Sequence, residues 1–187
     1  MTKLTMLSEA VSQFIHNGDI VYAAGFTHLI PFAAGHEIIR QQKRELTLAR
    51  ATPDLIYDQM VAAGCARKVI FSYMGNPGVG SLRIVRAEIE AGRLEWEEYS
   101  HFGMITRLQA GASGLPFLPM NQTGATSLEQ VNPLIKRIPD PYGGKIRVIS
   151  VDLDIQAMQA RRLAPADVVN AGNTQNLILP SGTAKFG

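Results

Sequence analysis

The sequence predicts an α/β fold in which a mainly parallel sheet is covered by helices. Short apolar runs and helical stripes alternate three times before residue 92, the connections between them are short, and glycine-bearing loops recur where the apolar runs end. Parallel strands joined by crossover helices produce this order, with the loops at the carboxyl ends of the strands.

The opening "TMLSEAVSQFIHNGD" carries apolar residues at Leu7, Ala10, Val11, Phe14 and Ile15, a helical stripe, with Gly18 where a closing glycine belongs. "DIVYAAG" reads as a short strand, and "GFTHLIPFAAGHEIIRQQ" as a loop leading into a helix from about Pro31. "ELTLARA" is the next strand. "DLIYDQMVAAG" is a helix capped by Asp54 and closed by Gly64. "RKVIFSYM" makes a third strand, followed by the loop "GNPGVG" and a helix from Ser81 to Ala91. "LEWEEY" reads as a short strand and "SHFGMITRLQAGASG" as a helix rich in small residues, leading to "LPFLPM". From Asn121 to Gly144 the prolines and glycines predict loop. "KIRVISVDL" is the last clear strand, "IQAMQARRL" has a helical pattern, and the tail from Asn170 reads as edge-like.

A chain of 187 residues, 46% hydrophobic and 18% charged, is expected to form a single domain over residues 1–187 with its own core. A net charge of +2 with scattered basic residues leaves no nucleic-acid footprint. No apolar run reaches the roughly 20 residues of a membrane span, and the N-terminus lacks a signal-like apolar core, so the expected location is cytoplasmic. Cys65 is the single cysteine, expected as a buried small hydrophobe, and no metal site is expected. The sequon "NQT" at 121–123 carries no weight without a secretion signal.

Three stretches carry chemistry. "GNPGVGS" has neither the lysine of a phosphate-binding loop nor the glycine spacing of a dinucleotide fingerprint. Two readings stay open: a tight turn whose glycines take positive φ, or a loop in which Gly78 and Gly80 bring backbone close to an anion. In the second, Ser81 caps the following helix, Arg83 or Arg86 supplies counter-charge, and Asn76 turns inward. "GFTHLIP" places Thr27 and His28 at a strand end, where a lone histidine is more often a structural hydrogen bonder than a catalyst. "EWEEYSHFGM" is the densest: if extended, Glu95, Glu97 and Tyr99 share one face and Trp96 and Glu98 the other. Glu98 is then a carboxylate on the more apolar side, with a raised pKa suited to a base or nucleophile, unless the whole run is solvated. His101 is placed either to pair with Glu98 or to cap.

The stretches "GFTHLIPFAAGHEIIR", "LTLARATPDLIYDQMVAAGCARKVIFSYMGNPGVGS" and "EEYSHFGMITRLQAGASGLPFLP" resemble the A (α) subunit of family I CoA-transferases, the glutaconate and 3-oxoadipate type, over residues 5 to about 149. The resemblance implies the CoA-transferase (NagB/RpiA-like) α/β fold. It also implies exchange of CoA from an acyl-CoA such as succinyl-CoA to a small dicarboxylic acid, through a thioester on a glutamate of a B subunit. The coenzyme A thioester is then a substrate, with no bound cofactor. No glutamate signature of the B type stands in this chain, so activity requires the partner.

On the same resemblance, "GNPGVG" matches a substrate-side loop, and Gly25, Phe26 and Thr27 match the first glycine loop. The expected substrate-binding set is Gly25, Phe26, Thr27, Asn76, Gly78, Gly80, Ser81 and His101. A related branch of ring-opening CoA-thioester hydrolases uses a glutamate of its α subunit, which would fall on Glu98 or Glu97. After about residue 150 the match weakens, which predicts a shortened or divergent end. A third reading is therefore a non-catalytic binding domain of the same fold.

Overall fold

The computed structural model describes residues 4–25, 29–76, 78, 80–120, 126–139 and 145–150. The chain divides into two compact units, one of Met1–Met104 with Gln130–Asn132 and one of Ile105–Glu129 with Pro133–Gly187.

The first unit is built on four parallel strands, β1 (Ile20–Tyr22), β2 (Leu46–Ala49), β3 (Ala66–Phe71) and β6 (Glu95–Glu98), hydrogen-bonded in that order. Helices α1 (Leu7–Phe14), α2 (Phe32–Arg40), α3 (Leu55–Ala62) and α4 (Arg83–Glu90) precede or connect them. Because the strands follow one another in a single direction across the sheet, right-handed crossovers put α2, α3 and α4 on the same face. α1 packs on α2, α2 on α3 and α3 on α4.

The core lies between that helical layer and the sheet. Leu46, Leu48, Val69 and Phe71 meet Val11, Ile38, Ile56, Tyr57, Met60 and Val85, and Cys65 is buried among them as a small hydrophobe. Burying each large apolar side chain of this set is worth about 1.5–3 kcal/mol. The α2–α3 contact is close enough that a Cβ on Gly35 would stand 2.2 Å from Ile56 Cγ1, so glycine is required there.

The ends of α3 follow the sequence, whereas α1 stops at Phe14 with Ile15 as an extended C-cap, so Gly18 stands beyond the helix and does not close it. Asp54 caps α3 by accepting from Leu55 N at 2.6 Å, and Gly64 closes that helix at φ +71°. Pro31 stands at the N-cap of α2, one residue before the first helical residue.

Between β3 and α4 the expected loop contains a small antiparallel hairpin, β4 (Gly75–Asn76) with β5 (Gly80–Ser81). Gly80 takes φ +97°, and a Cβ on Gly75 would come within 2.9 Å of Gly80 O. Both glycines are explained by hairpin closure.

In the second unit, β7 (Phe117–Met120), β8 (Ile135–Pro139) and β9 (Lys145–Ser150) form an antiparallel sheet in the order β7-β9-β8. The short helix α6 (Leu128–Val131) precedes β8. This differs from the loop expected over 121–144: the prolines flanking "LIKRI" hide a strand there, and proline is tolerated at the ends of non-central strands. α5 (His101–Ala112) forms where a helix is expected. The helix expected in "IQAMQARRL" and the tail from Asn170 lie outside the described residues.

Candidate functional site

The carboxyl ends of β1, β2 and β3 are held together by the connection from β2 to α3. Arg50 continues the backbone ladder, its N donating to Ile70 O at 3.0 Å, and its Nη2 donates to the carbonyl of Gly25 at the end of β1. Four residues on, Asp54 Oδ2 accepts from Asn76 Nδ2 at 2.8 Å. Asn76 Oδ1 in turn accepts from Gly78 N at 2.8 Å. The two glycine loops are thus fastened to the same short stretch. Asn76 does turn inward, but towards Asp54.

Ser81 does not cap α4. The N-cap residue is Leu82, and the free N–H groups of Ile84 and Val85 both donate to Asp58 Oδ1 on α3, at 2.9 Å each. A helix N-terminus that the sequence offered to an external anion is filled by the protein's own carboxylate. Arg86 is paired with Glu90 one turn along, Nε to Oε1 at 3.2 Å.

His101 also differs from expectation. Its ring stands between two hydroxyls, with Nε2 2.8 Å from Thr52 Oγ1 and Nδ1 2.9 Å from Ser72 Oγ. Ser72 Oγ donates to Ala51 O at 2.5 Å, so Nδ1 carries the proton toward Ser72 and Nε2 accepts from Thr52. Both ring nitrogens are engaged away from Glu98.

Glu98 lies opposite Phe71, and Trp96 opposite Val69, in the parallel register of β6 and β3. Partners in register share a face, so Glu98 is on the side of the sheet that carries the helices. There it lines a groove of about 360 Å³ with Phe71, Met74, Ser81, Ile89 and Trp96, and with the Arg86–Glu90 pair at its margin. Burial pushes the Glu98 carboxyl above the usual carboxylate range. Glu97 faces the other way, with Lys68 Nζ 2.5 Å from Oε1 and the Tyr99 hydroxyl donating to Oε2 at 2.8 Å.

Of the expected residues, the groove brings together Ser81 and Glu98, while Asn76, Gly78 and Gly80 form the hairpin that delivers Ser81. Gly25 stands at the Arg50 contact. Phe26 and Thr27, with His28, lie outside the described residues. Sequence reasoning passed over Arg50, Asp58 and Ser72. A charged residue ending the buried run "LTLA" was the available signal for Arg50; Asp58, one helical turn after the capping Asp54, was legible only as a residue on the same helix face. Among the described residues no cluster of three His, Cys, Asp or Glu side chains could hold a metal, and no helix is long and apolar enough to cross a membrane.

A family model described as "Coenzyme A transferase" matches residues 4–177. The chain belongs to the coenzyme A transferase family. Within it, the chain is 48% identical over 167 residues to the α subunit of 3-oxoadipate CoA-transferase from Pseudomonas knackmussii, covering 87% of this chain and 59% of that protein. It is 29% identical over 189 residues to the α subunit of glutaconate CoA-transferase from Acidaminococcus fermentans, again with 59% of the relative covered. The chain therefore spans less than two thirds of the length of these relatives.

Among solved structures, glutaconate coenzyme A-transferase from Acidaminococcus fermentans superposes with a TM-score of 0.74 at 28% identity, covering 80% of this chain and 53% of that one. A variant of the decarboxylase AibA/AibB superposes at 0.68 with 26% identity, covering 79% and 58%. The CoA-transferase α/β fold expected from the sequence is the fold of these family neighbours, and its parallel sheet and covering helices are those described above.

Proposed function

We propose that this chain is the α subunit of a heteromeric CoA-transferase that moves CoA from an acyl-CoA donor such as succinyl-CoA to a small dicarboxylic acid, 3-oxoadipate or glutaconate. The observation that carries the reading is the 48% identity to the α subunit of a 3-oxoadipate CoA-transferase across 87% of the chain. In this reading the nucleophilic glutamate belongs to the B subunit. Its carboxylate attacks the donor's acyl carbonyl and expels CoA thiolate; the thiolate then attacks the glutamyl carbonyl of the resulting anhydride, releasing the donor acid and leaving a glutamyl-CoA thioester. The acceptor acid repeats the two steps in reverse order, so no water is consumed.

This chain contributes the walls. Phe71, Met74, Ile89 and Trp96 give the groove an apolar lining suited to the methylene chain of an acyl group, and Ser81 supplies a hydroxyl at its edge. Gly25, Phe26, Thr27, Asn76, Gly78, Gly80 and His101 complete the proposed substrate-binding set, in which the bonds of Asn76 and His101 to neighbouring loops support that role by holding the loops in place. Location in the cytoplasm accords with CoA thioesters as substrates.

The experiment is co-expression with a B subunit, incubation with succinyl-CoA with and without 3-oxoadipate, then borohydride trapping and peptide mass spectrometry. The expected result is acceptor-dependent exchange, a reduced glutamate in the B subunit, and near-normal exchange by Glu98→Gln. Full exchange by this chain alone would overturn its assignment as one half of a heteromer.

The position of Glu98 favours one second reading, a CoA-thioester hydrolase in which Glu98 itself acts. It is groove-lining, with a raised pKa and no cation within salt-bridge distance among the described residues. That reading requires product without any acceptor acid, abolished by Glu98→Gln. Neither activity, from a stable complex with the B subunit, would leave a binding domain of the same fold.

A further inference from the structure

Arg50 stands at the carboxyl end of β2, where ligands collect in parallel sheets. It follows Leu46 and Leu48 in the strand's alternation, which directs its side chain to the helix-covered face. The residue is 6% exposed, and its Nη1 is buried with no hydrogen-bond partner among the described residues. Its guanidinium donates from Nη2 to the neutral carbonyl of Gly25.

Among the described residues, the polar groups of Asp54 and Tyr57 are otherwise engaged. Asp54 has one oxygen on Leu55 N and the other on Asn76 Nδ2. Tyr57, whose hydroxyl donates to Ala49 O at 2.9 Å, is held protonated by burial. Among the described residues no carboxylate lies within salt-bridge distance of Arg50. A buried guanidinium left this way is costly unless an anion completes it.

We propose that Arg50 is an anion anchor whose buried, unpartnered Nη1 takes a carboxylate of a small dicarboxylic acid at the carboxyl ends of β1 and β2. The choice of a carboxylate comes from the donors available. A phosphate needs several N–H groups at once, yet the N-termini of α3 and α4 are already filled by Asp54 and Asp58. One unpartnered guanidinium nitrogen suits a single carboxylate, whose attraction is strengthened where water is excluded. The proposal rests on the transferase reading only for the choice of a dicarboxylic acid.

The test reads binding and not turnover. The full chain, alone and in complex with a B subunit, is titrated with succinate, with neutral succinamide and with inorganic phosphate, while the Nε–Hε resonance of Arg50 is followed by NMR. The expected result is a saturable shift with succinate alone. Arg50→Lys, which keeps the charge and loses the fork, should weaken succinate binding at least tenfold as measured by calorimetry, with a cooperative thermal transition retained. No Arg50 shift with succinate, a tighter response to phosphate, or unchanged succinate affinity in a folded Arg50→Lys variant would each overturn the proposal. Succinate binding at Arg50 without CoA exchange by the complex would instead count against the transferase reading alone.

Discussion

Glu97 and Glu98 are consecutive residues of β6 with opposite fates. Glu97 is joined to Lys68 and Tyr99 on one face of the sheet, whereas Glu98 lines the groove on the other with its pKa raised by burial. The two carboxylates have the same chemistry, so position alone separates them: a strand turns successive side chains to opposite faces, and the neighbouring strand offers a lysine on one and a phenylalanine on the other. One glutamate is therefore part of the scaffold, and the other is available to the site.

The largest effect should come from breaking the scaffold pair. The side chains of Lys68 and Glu97 are 24% and 12% exposed, so the pair is mostly withdrawn from water. Lys68→Ala removes the cation that faces the Glu97 carboxylate, and we expect a loss of about 2–3 kcal/mol in urea unfolding, below the ~3–5 of a fully buried pair. The double variant Lys68→Met with Glu97→Leu should recover most of that loss. If the single change costs nothing, the pair is a surface contact and the contrast between the two glutamates collapses.

A middle-sized effect probes how the groove is held. Asp58→Ala removes the acceptor for Ile84 N and Val85 N, and should cost about 1–2 kcal/mol, as loss of a helix cap does. Because α4 carries Ile89 and Arg86 to the groove, the same change should also raise KM for the acyl-CoA in the complex with little change in kcat. Asp58→Asn keeps one acceptor oxygen and should recover about half of the stability. An equal loss of kcat and kcat/KM would place Asp58 in the chemistry and not in the scaffold.

The contrast at β6 was legible in the sequence, since the alternation of "EWEEY" requires no knowledge of partners. The parallel sheet was legible for a similar reason: strand and helix periods differ, and the helix of "DLIYDQMVAAG" carried both its cap, Asp54, and its stop, Gly64. What stayed hidden were relations between distant residues. Asp58 is 26 residues from Ile84, and Arg50 is 25 from Gly25, so no local pattern announces either bond. The glycines of "GNPGVG" told of unusual backbone without saying that it folds on itself as a hairpin. His101 was visible as a site candidate, but its partners Thr52 and Ser72 come from two other strand ends.

The smallest expected effect is also the sharpest on Glu98, because its sign is opposite to that of a paired carboxylate. A carboxyl whose folded pKa is raised binds its proton more tightly when folded. Its contribution to stability is fully present below the unfolded pKa and is lost as pH rises through the folded value. At neutral pH the ionised Glu98 is therefore mildly unfavourable, and Glu98→Gln should raise the urea midpoint there. The advantage should shrink as pH falls and vanish below about pH 4, near the ordinary glutamate pKa, where both states are protonated. A carboxylate held by a cation, as Glu97 is, gives the reverse: its neutral substitute destabilises at neutral pH. Measuring the urea midpoints of Glu98→Gln between pH 4 and 8 should give a stabilising difference at neutral pH that narrows toward acid, while Glu97→Gln at pH 7 should give a difference of opposite sign. If the Glu98 difference is destabilising at pH 7, the side chain has found a cation in solution, and Glu98 is then not the free carboxyl that the hydrolase reading requires.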